Sequence, residues 1–142
     1  MQVTLVRLFA VIALLSVSLV AQARQSVPIV DFPDNAVLTS SGKALTAEQV
    51  RYAITAAAQS HSWQISRAPN GDGLQAVLSV RGKHTVVVAI AYSPKTYSIA
   101  YHDSTNMNYS HDPNTQVRVI HPYYNRWVSE LRDAIRMELN RL

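Results

Sequence analysis

Three consecutive segments with an apolar or aromatic residue at every second position constrain the fold of this chain more than any other feature. They are Leu74–Val80, His84–Tyr92 and Thr96–Asp103, and two short turn signals, Arg81-Gly82-Lys83 and Ser93-Pro94-Lys95, separate them. Alternation with a period of two is typical of strands that bury one face, and connections this short are typical of hairpins. The sequence therefore predicts three antiparallel strands joined in order.

The length of the first turn decides which side chains share a face of the sheet. A two-residue loop would place Arg81 opposite His84, whereas a three-residue loop would place Val80 there, and a slip of one residue moves every side chain to the other face. We prefer the three-residue loop because it collects the large apolar side chains on one face. That face would hold Leu74, Ala76, Leu78, Val80, His84, Val86, Val88, Ile90, Tyr92, Tyr97, Ile99 and Tyr101.

The opposite face of the predicted sheet carries a strip of small and β-branched side chains. An exposed apolar strip can mark a surface that binds a partner. Two alternatives to a partner remain open. A second copy of the chain could cover the strip, or the preceding segment could lie across it through Val27, Ile29, Val30 and Phe32. This candidate partner surface consists of Val77, Val87, Ala89, Ala91 and Ala100.

Two helices and a fourth strand complete the predicted domain. Thr46 and Gln49 fit a capping box that starts a helix over Ala47–Ser60, and Ser62–Arg67 follows as a strand. Pro122 suits the first position of a second helix. The apolar stripe of that helix consists of Tyr124, Trp127, Val128, Leu131, Ile135 and Leu139.

The order of these elements predicts an α+β fold class. We expect a single two-layer α-β-β-β-β-α domain over residues 44–142, with a four-stranded antiparallel sheet and both helices on its apolar face. Ser104–Gln116 is polar and has no period, so we interpret it as a long loop. Residues 24–43 contain Pro28, Pro33 and Gly42 and are predicted to form an extended N-terminal arm.

The first 23 residues have the pattern of a secretory signal peptide. Arg7 precedes the uncharged run Leu8–Val20, and Ala21-Gln22-Ala23 offers a cleavage site after Ala23. The run has 13 residues, whereas a membrane-spanning helix needs roughly 20. We therefore expect an exported protein of the periplasm or, alternatively, of the extracellular medium, without a stable membrane span after cleavage.

Composition excludes several classes of protein. The chain has no cysteine, which excludes disulfides and a lipid-modified cysteine. Cleavage after Ala23 would leave 12 basic and 9 acidic residues, a thinly spread balance of +3. A nucleic-acid-binding protein usually shows a concentrated basic patch, so we expect no nucleic-acid partner.

No motif in the sequence predicts catalysis or a cofactor. Ser110-His111-Asp112 has the residue types of a catalytic triad. Three consecutive residues, however, cannot form the hydrogen bonds from nucleophile to base and from base to acid that a triad needs. His102, His111 and His121 are separated by 9 and 10 residues, unlike the short ligand pairs of zinc sites. We therefore predict no catalytic residue, no metal and no cofactor, and keep a metal site or active site at these three histidines as an alternative.

Aromatic and polar residues near the loop and the second helix form a candidate ligand groove. Aromatic walls with a few polar groups suit small-molecule recognition. The competing interpretation is structural: Tyr124 and Trp127 would be core anchors, and the polar groups would hold the loop against them. The candidate groove consists of Tyr101, Asn106, Tyr109, His121, Tyr124, Asn125 and Trp127.

Several segments give the chain a resemblance to a known family. They are the start of helix one at Thr46-Ala47-Glu48-Gln49-Val50, the residues Trp63, Arg81, His84, Ile90, Tyr92 and Tyr97-Ser98-Ile99, and most of all the segments 101–109 (YHDSTNMNY) and 120–128 (IHPYYNRWV). Through them the chain, from about Val37 to Leu139, resembles a family of small, uncharacterised bacterial exported proteins and lipoproteins. The resemblance implies an exported location and this fold, and it supplies no reaction, ligand or partner.

These observations favour a non-enzymatic binding or interaction module of the bacterial cell envelope. Its binding surface would be the open sheet face or the aromatic groove, and its partner an envelope protein or a small ligand. Two alternatives remain: a periplasmic metal-binding protein or enzyme that uses His102, His111 and His121, and an inhibitor of another exported enzyme.

Overall fold

The structure, a computed structural model, describes residues 25–142, so the predicted signal peptide lies outside the described residues. In chain order, its strands are β1 Val27–Pro28, β2 Phe32–Ala36, β3 Gln64–Arg67, β4 Leu74–Val80, β5 His84–Tyr92, β6 Thr96–Thr105, β7 Ser110–His111 and β8 Arg118–Ile120. The two helices are α1 Ala47–Ser60, between β2 and β3, and α2 Tyr123–Asn140, after β8. Among these residues, no helix is both long and apolar enough to cross a membrane.

The sheets confirm the α+β class and correct the strand count. Five antiparallel strands form the main sheet in the order β2-β6-β5-β4-β3, and a small second sheet has the order β1-β8-β7. The predicted four-stranded sheet was wrong because the N-terminal arm supplies β2, which pairs with β6 at the edge. The arm also supplies β1, and the predicted loop over Ser104–Gln116 contains the end of β6 and all of β7.

The β4–β5 hairpin has the three-residue register. Val80 lies opposite His84 and Leu74 lies opposite Ile90, so the large apolar side chains share one face as predicted. The Lys83 amide donates to the Val80 carbonyl over 3.1 Å, with positive φ at both central residues, Arg81 (54°) and Gly82 (63°). Positive φ at both positions is the mark of a type I′ turn.

The buried core lies between this sheet face and the two helices. Val50, Ile54 and Ala58 of α1 and Leu131 and Ile135 of α2 are fully buried in one cluster with the apolar face of the sheet. Both helices therefore cover the same face.

Helix α1 begins with the predicted capping box: the Gln49 amide donates to Thr46 Oγ1 over 3.2 Å and the Thr46 amide donates to Gln49 Oε1 over 2.9 Å.

Candidate functional site

The end of the sheet that carries the β4–β5 turn is held against the segment after β6. His84 Nδ1 lies 2.8 Å from the Asn106 carbonyl, and Asn106 Nδ2 donates to the Lys83 carbonyl over 2.7 Å. Asn106 has a φ of 56°, a conformation that asparagine tolerates better than most residues. Two hydrogen bonds therefore fix this turn to the hairpin.

The same turn is tied to the start of α2. The amide of His121 donates to the Met107 carbonyl over 2.7 Å, and Met107 is buried. His121 Nδ1 accepts from the Tyr123 amide over 3.2 Å, so this histidine closes the helix N-terminus. Hairpin, turn and helix thus meet at one place.

A pocket of about 370 Å³ lies where these three segments meet. We call it the His84–Trp127 pocket. It contains two histidines, two arginines, one glutamate and two large aromatic side chains. Its lining residues are Val80, Arg81, His84, Met107, His121, Tyr123, Arg126, Trp127 and Glu130.

Backbone contacts fix the two pocket histidines in opposite tautomers when both are neutral. A carbonyl oxygen only accepts, so His84 Nδ1 carries the proton toward Asn106 and its Nε2 is an acceptor. His121 Nδ1 accepts from an amide, so its Nε2 carries the proton and is a donor.

Aromatic rings form a row along one wall of the pocket. The centroids of His121 and Tyr123 are 4.8 Å apart, and those of Tyr123 and Trp127 are 5.6 Å apart. Tyr123 is exposed and Trp127 is only partly buried against the core, which corrects the prediction of Trp127 as a core anchor. The cause is its position at the edge of the stripe, beyond Tyr124 and Val128, which are fully buried.

The two arginines at the pocket differ in whether they form an ion pair. Arg126 Nε contacts Glu130 Oε1 at 3.0 Å, one turn further along α2. The Arg81 guanidinium makes no hydrogen bond or ion pair within residues 25–142. Arg81 is therefore the uncommitted cation of the pocket.

The predicted aromatic groove is divided between two places. His121 and Trp127 line the pocket, whereas Asn106 fastens the turn beside it. Tyr101 stacks on Tyr109, with centroids 4.6 Å apart and planes 8° apart, and meets Tyr124 edge-on at 5.6 Å. These three tyrosines form a separate aromatic cluster.

The remaining groove residue, Asn125, holds the N-terminal arm. Its Nδ2 donates to the Pro28 carbonyl over 2.9 Å and its Oδ1 accepts from the Val30 amide over 3.0 Å. Asp31, which follows Val30 in the arm, forms an ion pair with Arg118 Nη2 at 2.6 Å and accepts from the Tyr101 amide over 3.1 Å. Asn125 therefore holds the N-terminal arm, and not the loop that the structural interpretation expected.

Burial alters the ionisation of the tyrosines in the core and in the aromatic cluster. Burial raises the pKa of Tyr97, Tyr101 and Tyr124 above the ordinary tyrosine value, most strongly for Tyr124. The Tyr97 hydroxyl donates to the Arg132 carbonyl over 3.2 Å, and the Tyr101 hydroxyl lies 2.9 Å from Ser104 Oγ. The hydroxyl of Tyr124 has no hydrogen-bond partner within residues 25–142.

The raised tyrosine pKa values predict alkaline destabilisation. Because the folded pKa exceeds the unfolded value of about 10, the stabilisation is complete below that pH and is lost as the pH rises through the folded values. We expect the urea midpoint to fall as the pH is raised from about 8 to about 11. A Tyr97→Phe variant should show a shallower fall, and an identical fall would contradict this origin.

The candidate partner surface on the sheet lies opposite the helices. Ala91 and Ala100 are exposed and Val77, Val87 and Ala89 are half-buried, in contrast to the buried side chains of the other face. The N-terminal arm does not lie across this surface, because β2 extends the sheet at its edge and Phe32 packs against the core beneath Arg132, 4.6 Å from its guanidinium carbon. The interpretation in which the arm covers this face was therefore wrong.

The candidate chemical groups elsewhere in the chain do not converge. Within residues 25–142, no three histidine, aspartate or glutamate side chains lie close enough together to hold a metal. Asp112 accepts from the Asn114 amide over 2.8 Å, and this bond lowers its pKa, which gives it the role of a turn residue. Ser110 and His111 are exposed residues of β7.

Most residues of the pocket were missed as site residues from the sequence. Arg81 and His84 of the β4–β5 hairpin lie far from Tyr123 in the chain, and Arg126 and Glu130 resemble an ordinary solvated helix face. The positive φ of a non-glycine residue at Arg81 is a structural signal that the sequence does not display. The predicted hairpin register correctly places His84 on the apolar side of the sheet, but it does not indicate that His84 lies near α2.

Comparisons of this chain with protein-family models, curated proteins and solved structures find no match. The resemblance to small exported proteins therefore stays a prediction.

Proposed function

We propose that this chain is a non-enzymatic binding module of the bacterial cell envelope and that the His84–Trp127 pocket is its ligand site. The observation that carries the proposal is the pocket itself: about 370 Å³, with an aromatic wall and a few polar groups that meet from three separate segments. Ligand sites in proteins are typically concavities of about this size with this mixture of groups.

The residue types at the pocket favour binding over catalysis. Among the described residues that line it there is no serine, threonine, cysteine, lysine or aspartate to act as a nucleophile. Its one carboxylate, Glu130, is engaged by Arg126 at 3.0 Å. His84 and His121 each use Nδ1 in a contact with the backbone, and these contacts fix the orientation of both rings at the pocket.

The envelope location rests on the signal-peptide pattern of the first 23 residues. Expression of the whole chain in a bacterium should yield an exported form that begins at Arg24, because Ala21-Gln22-Ala23 provides the cleavage site. The check is the intact mass of the protein recovered from the periplasmic fraction. A protein that keeps Met1 and stays in the cytoplasm would contradict this location.

The binding proposal is tested by retention of small molecules. The purified protein is incubated with a small-molecule extract of bacterial culture, washed by ultrafiltration, and the retained compounds are identified by mass spectrometry. We expect the native protein to retain a compound unchanged, and a Tyr123→Ala variant to retain much less because the aromatic wall is shortened.

The matched control for this test is Tyr52→Ala. Tyr52 is also an exposed tyrosine of a helix, 66% accessible on α1, and it does not line the pocket. Equal retention by the native protein and by both variants would contradict the pocket as the ligand site. Conversion of the retained compound during incubation would contradict a non-enzymatic role.

A further inference from the structure

We propose that the His84–Trp127 pocket binds a small planar carboxylate, whose negative charge is recognised by Arg81 and whose ring lies along Tyr123 and Trp127. This inference rests on the proposed function and names the class of ligand. A guanidinium presents its donors in a planar fork that matches a carboxylate, and it attracts anions most when no protein carboxylate occupies it.

The first argument is the placement of Arg81 in the turn. Both central residues of this turn have positive φ, a geometry for which Asn-Gly is the favoured pair. The chain has Arg81-Gly82 there, so an arginine occupies a position that suits asparagine better. Backbone strain of this kind tends to occur at functional sites. Arg81 is one of the residues that line the pocket, and its guanidinium makes no hydrogen bond or ion pair within residues 25–142, which leaves it able to bind an anion.

The second argument concerns the number of charges. Arg126 and Glu130 form a surface pair that cancels its own charge, so among the described residues that line the pocket Arg81 supplies the uncompensated permanent charge. The first turn of α2 is not a phosphate site, because His121 caps it: its Nδ1 accepts the Tyr123 amide and its carbonyl accepts the Tyr124 amide over 3.0 Å. A singly charged ligand therefore fits better than a phosphate.

The third argument is the shape of the remaining surface. Tyr123 and Trp127 both line the pocket, with ring centroids 5.6 Å apart and planes tilted by 44°, and Met107, a buried and polarisable side chain, lines it as well. Offset stacking of rings and sulfur–aromatic contact both favour a planar apolar group. The ligand should therefore carry a ring as well as its charge.

The test compares two probes that share a ring system and differ in charge, 2-naphthoate and 2-naphthamide. Each is titrated into the purified protein while the amide resonances are followed by nuclear magnetic resonance. We expect saturable shifts near the pocket with 2-naphthoate and affinity weaker by about tenfold or more with the amide, the loss of one charge-assisted hydrogen bond. Added salt should weaken only the binding of the carboxylate.

The variant Arg81→Asn tests whether Arg81 recognises the carboxylate without disturbing the fold. Asparagine is favoured at this position of the turn, so the variant should melt at the same temperature as the native protein or at a higher one. It should nevertheless bind 2-naphthoate about tenfold more weakly and lose the preference over the amide. Lys95→Asn is the control, because it removes one positive charge from the β5–β6 turn and does not line the pocket.

The outcomes distinguish this inference from the proposed function. Equal binding of both probes at the pocket would overturn the carboxylate class and leave a binding module. Unchanged 2-naphthoate affinity in Arg81→Asn would overturn the assignment to Arg81. If neither probe shifts a pocket resonance at millimolar concentration, the ligand class is wrong, and retention of compounds from the extract decides separately whether the pocket binds anything.

Discussion

Replacement of Tyr124 by alanine should lower the free energy of unfolding by about 3–5 kcal/mol, the range for large aromatic truncations in a core. Tyr124 is fully buried at the start of α2 and contacts the edge of Tyr101, with ring centroids 5.6 Å apart. Its removal would leave a cavity between α2 and Tyr101. Urea unfolding measures the change as a lower midpoint at constant slope.

Two further variants show whether this loss comes from the ring. Tyr124→Phe should change stability by less than about 1 kcal/mol, because the hydroxyl it removes has no hydrogen-bond partner within residues 25–142. Trp127→Ala should cost less than Tyr124→Ala, since Trp127 lies at the margin of the core. A loss larger for Trp127 than for Tyr124 would show that the core is misplaced.

Replacement of Gly73 by alanine should cost more than about 2 kcal/mol, through two independent effects. Gly73 has a φ of 80°, a conformation that costs a residue with a side chain roughly 1–2 kcal/mol. In addition, a Cβ at this position would lie 2.5 Å from the carbonyl oxygen of Ile90 in β5, and a backbone atom cannot easily move away. The loss is measured by urea unfolding.

Gly71→Ala is the matched control for this second prediction. Gly71 lies in the same loop between β3 and β4 and has nearly the same φ, 79°, but a Cβ there would meet nothing within 4 Å. It should therefore show the conformational cost alone, about 1 kcal/mol. Equal losses for Gly71→Ala and Gly73→Ala would contradict the close approach of the β3–β4 loop to β5.

The central hairpin could be predicted from the sequence because one physical pattern decides it. Leu74, Leu78, Val86 and Ile90 share a face only in one register, and burial of that face rejects the alternative. The capping box of α1 was equally local, since the hydrogen bonds between Thr46 and Gln49 join residues three positions apart. The start of α1 could therefore be predicted from the sequence.

The edge strand β2 could not be predicted because its residues argue against a strand. Its sequence contains Pro33. The register of its pairing with β6 shifts between Phe32 and Asn35, and Asp34 has a φ of 49°. Long-range contacts stabilise it instead: the Asp34 amide donates to Ser98 Oγ over 2.9 Å, and Asn35 Nδ2 donates to the Tyr97 carbonyl over 3.0 Å. Tertiary contacts of this kind leave no periodicity in the sequence.

The candidate site was only partly predictable for a related reason. The sequence indicated aromatic residues near the second helix, and His121 and Trp127 do line the pocket. It could not show that Met107 is buried or that Asn106 binds the hairpin, because both depend on a turn with positive φ at Asn106 and Asn108. That turn brings His84 to α2 and creates the pocket.

The most direct test of a ligand site beside Trp127 uses the two tryptophan indole resonances. Trp63 is buried in the core, whereas Trp127 lines the pocket, and a Trp63→Phe variant assigns the two signals. The purified protein is titrated with the compound that it retains from the culture extract. The account predicts a saturable shift of the Trp127 Nε1–H signal while the Trp63 signal stays in place; a shift of the Trp63 signal alone, or of neither, would contradict it.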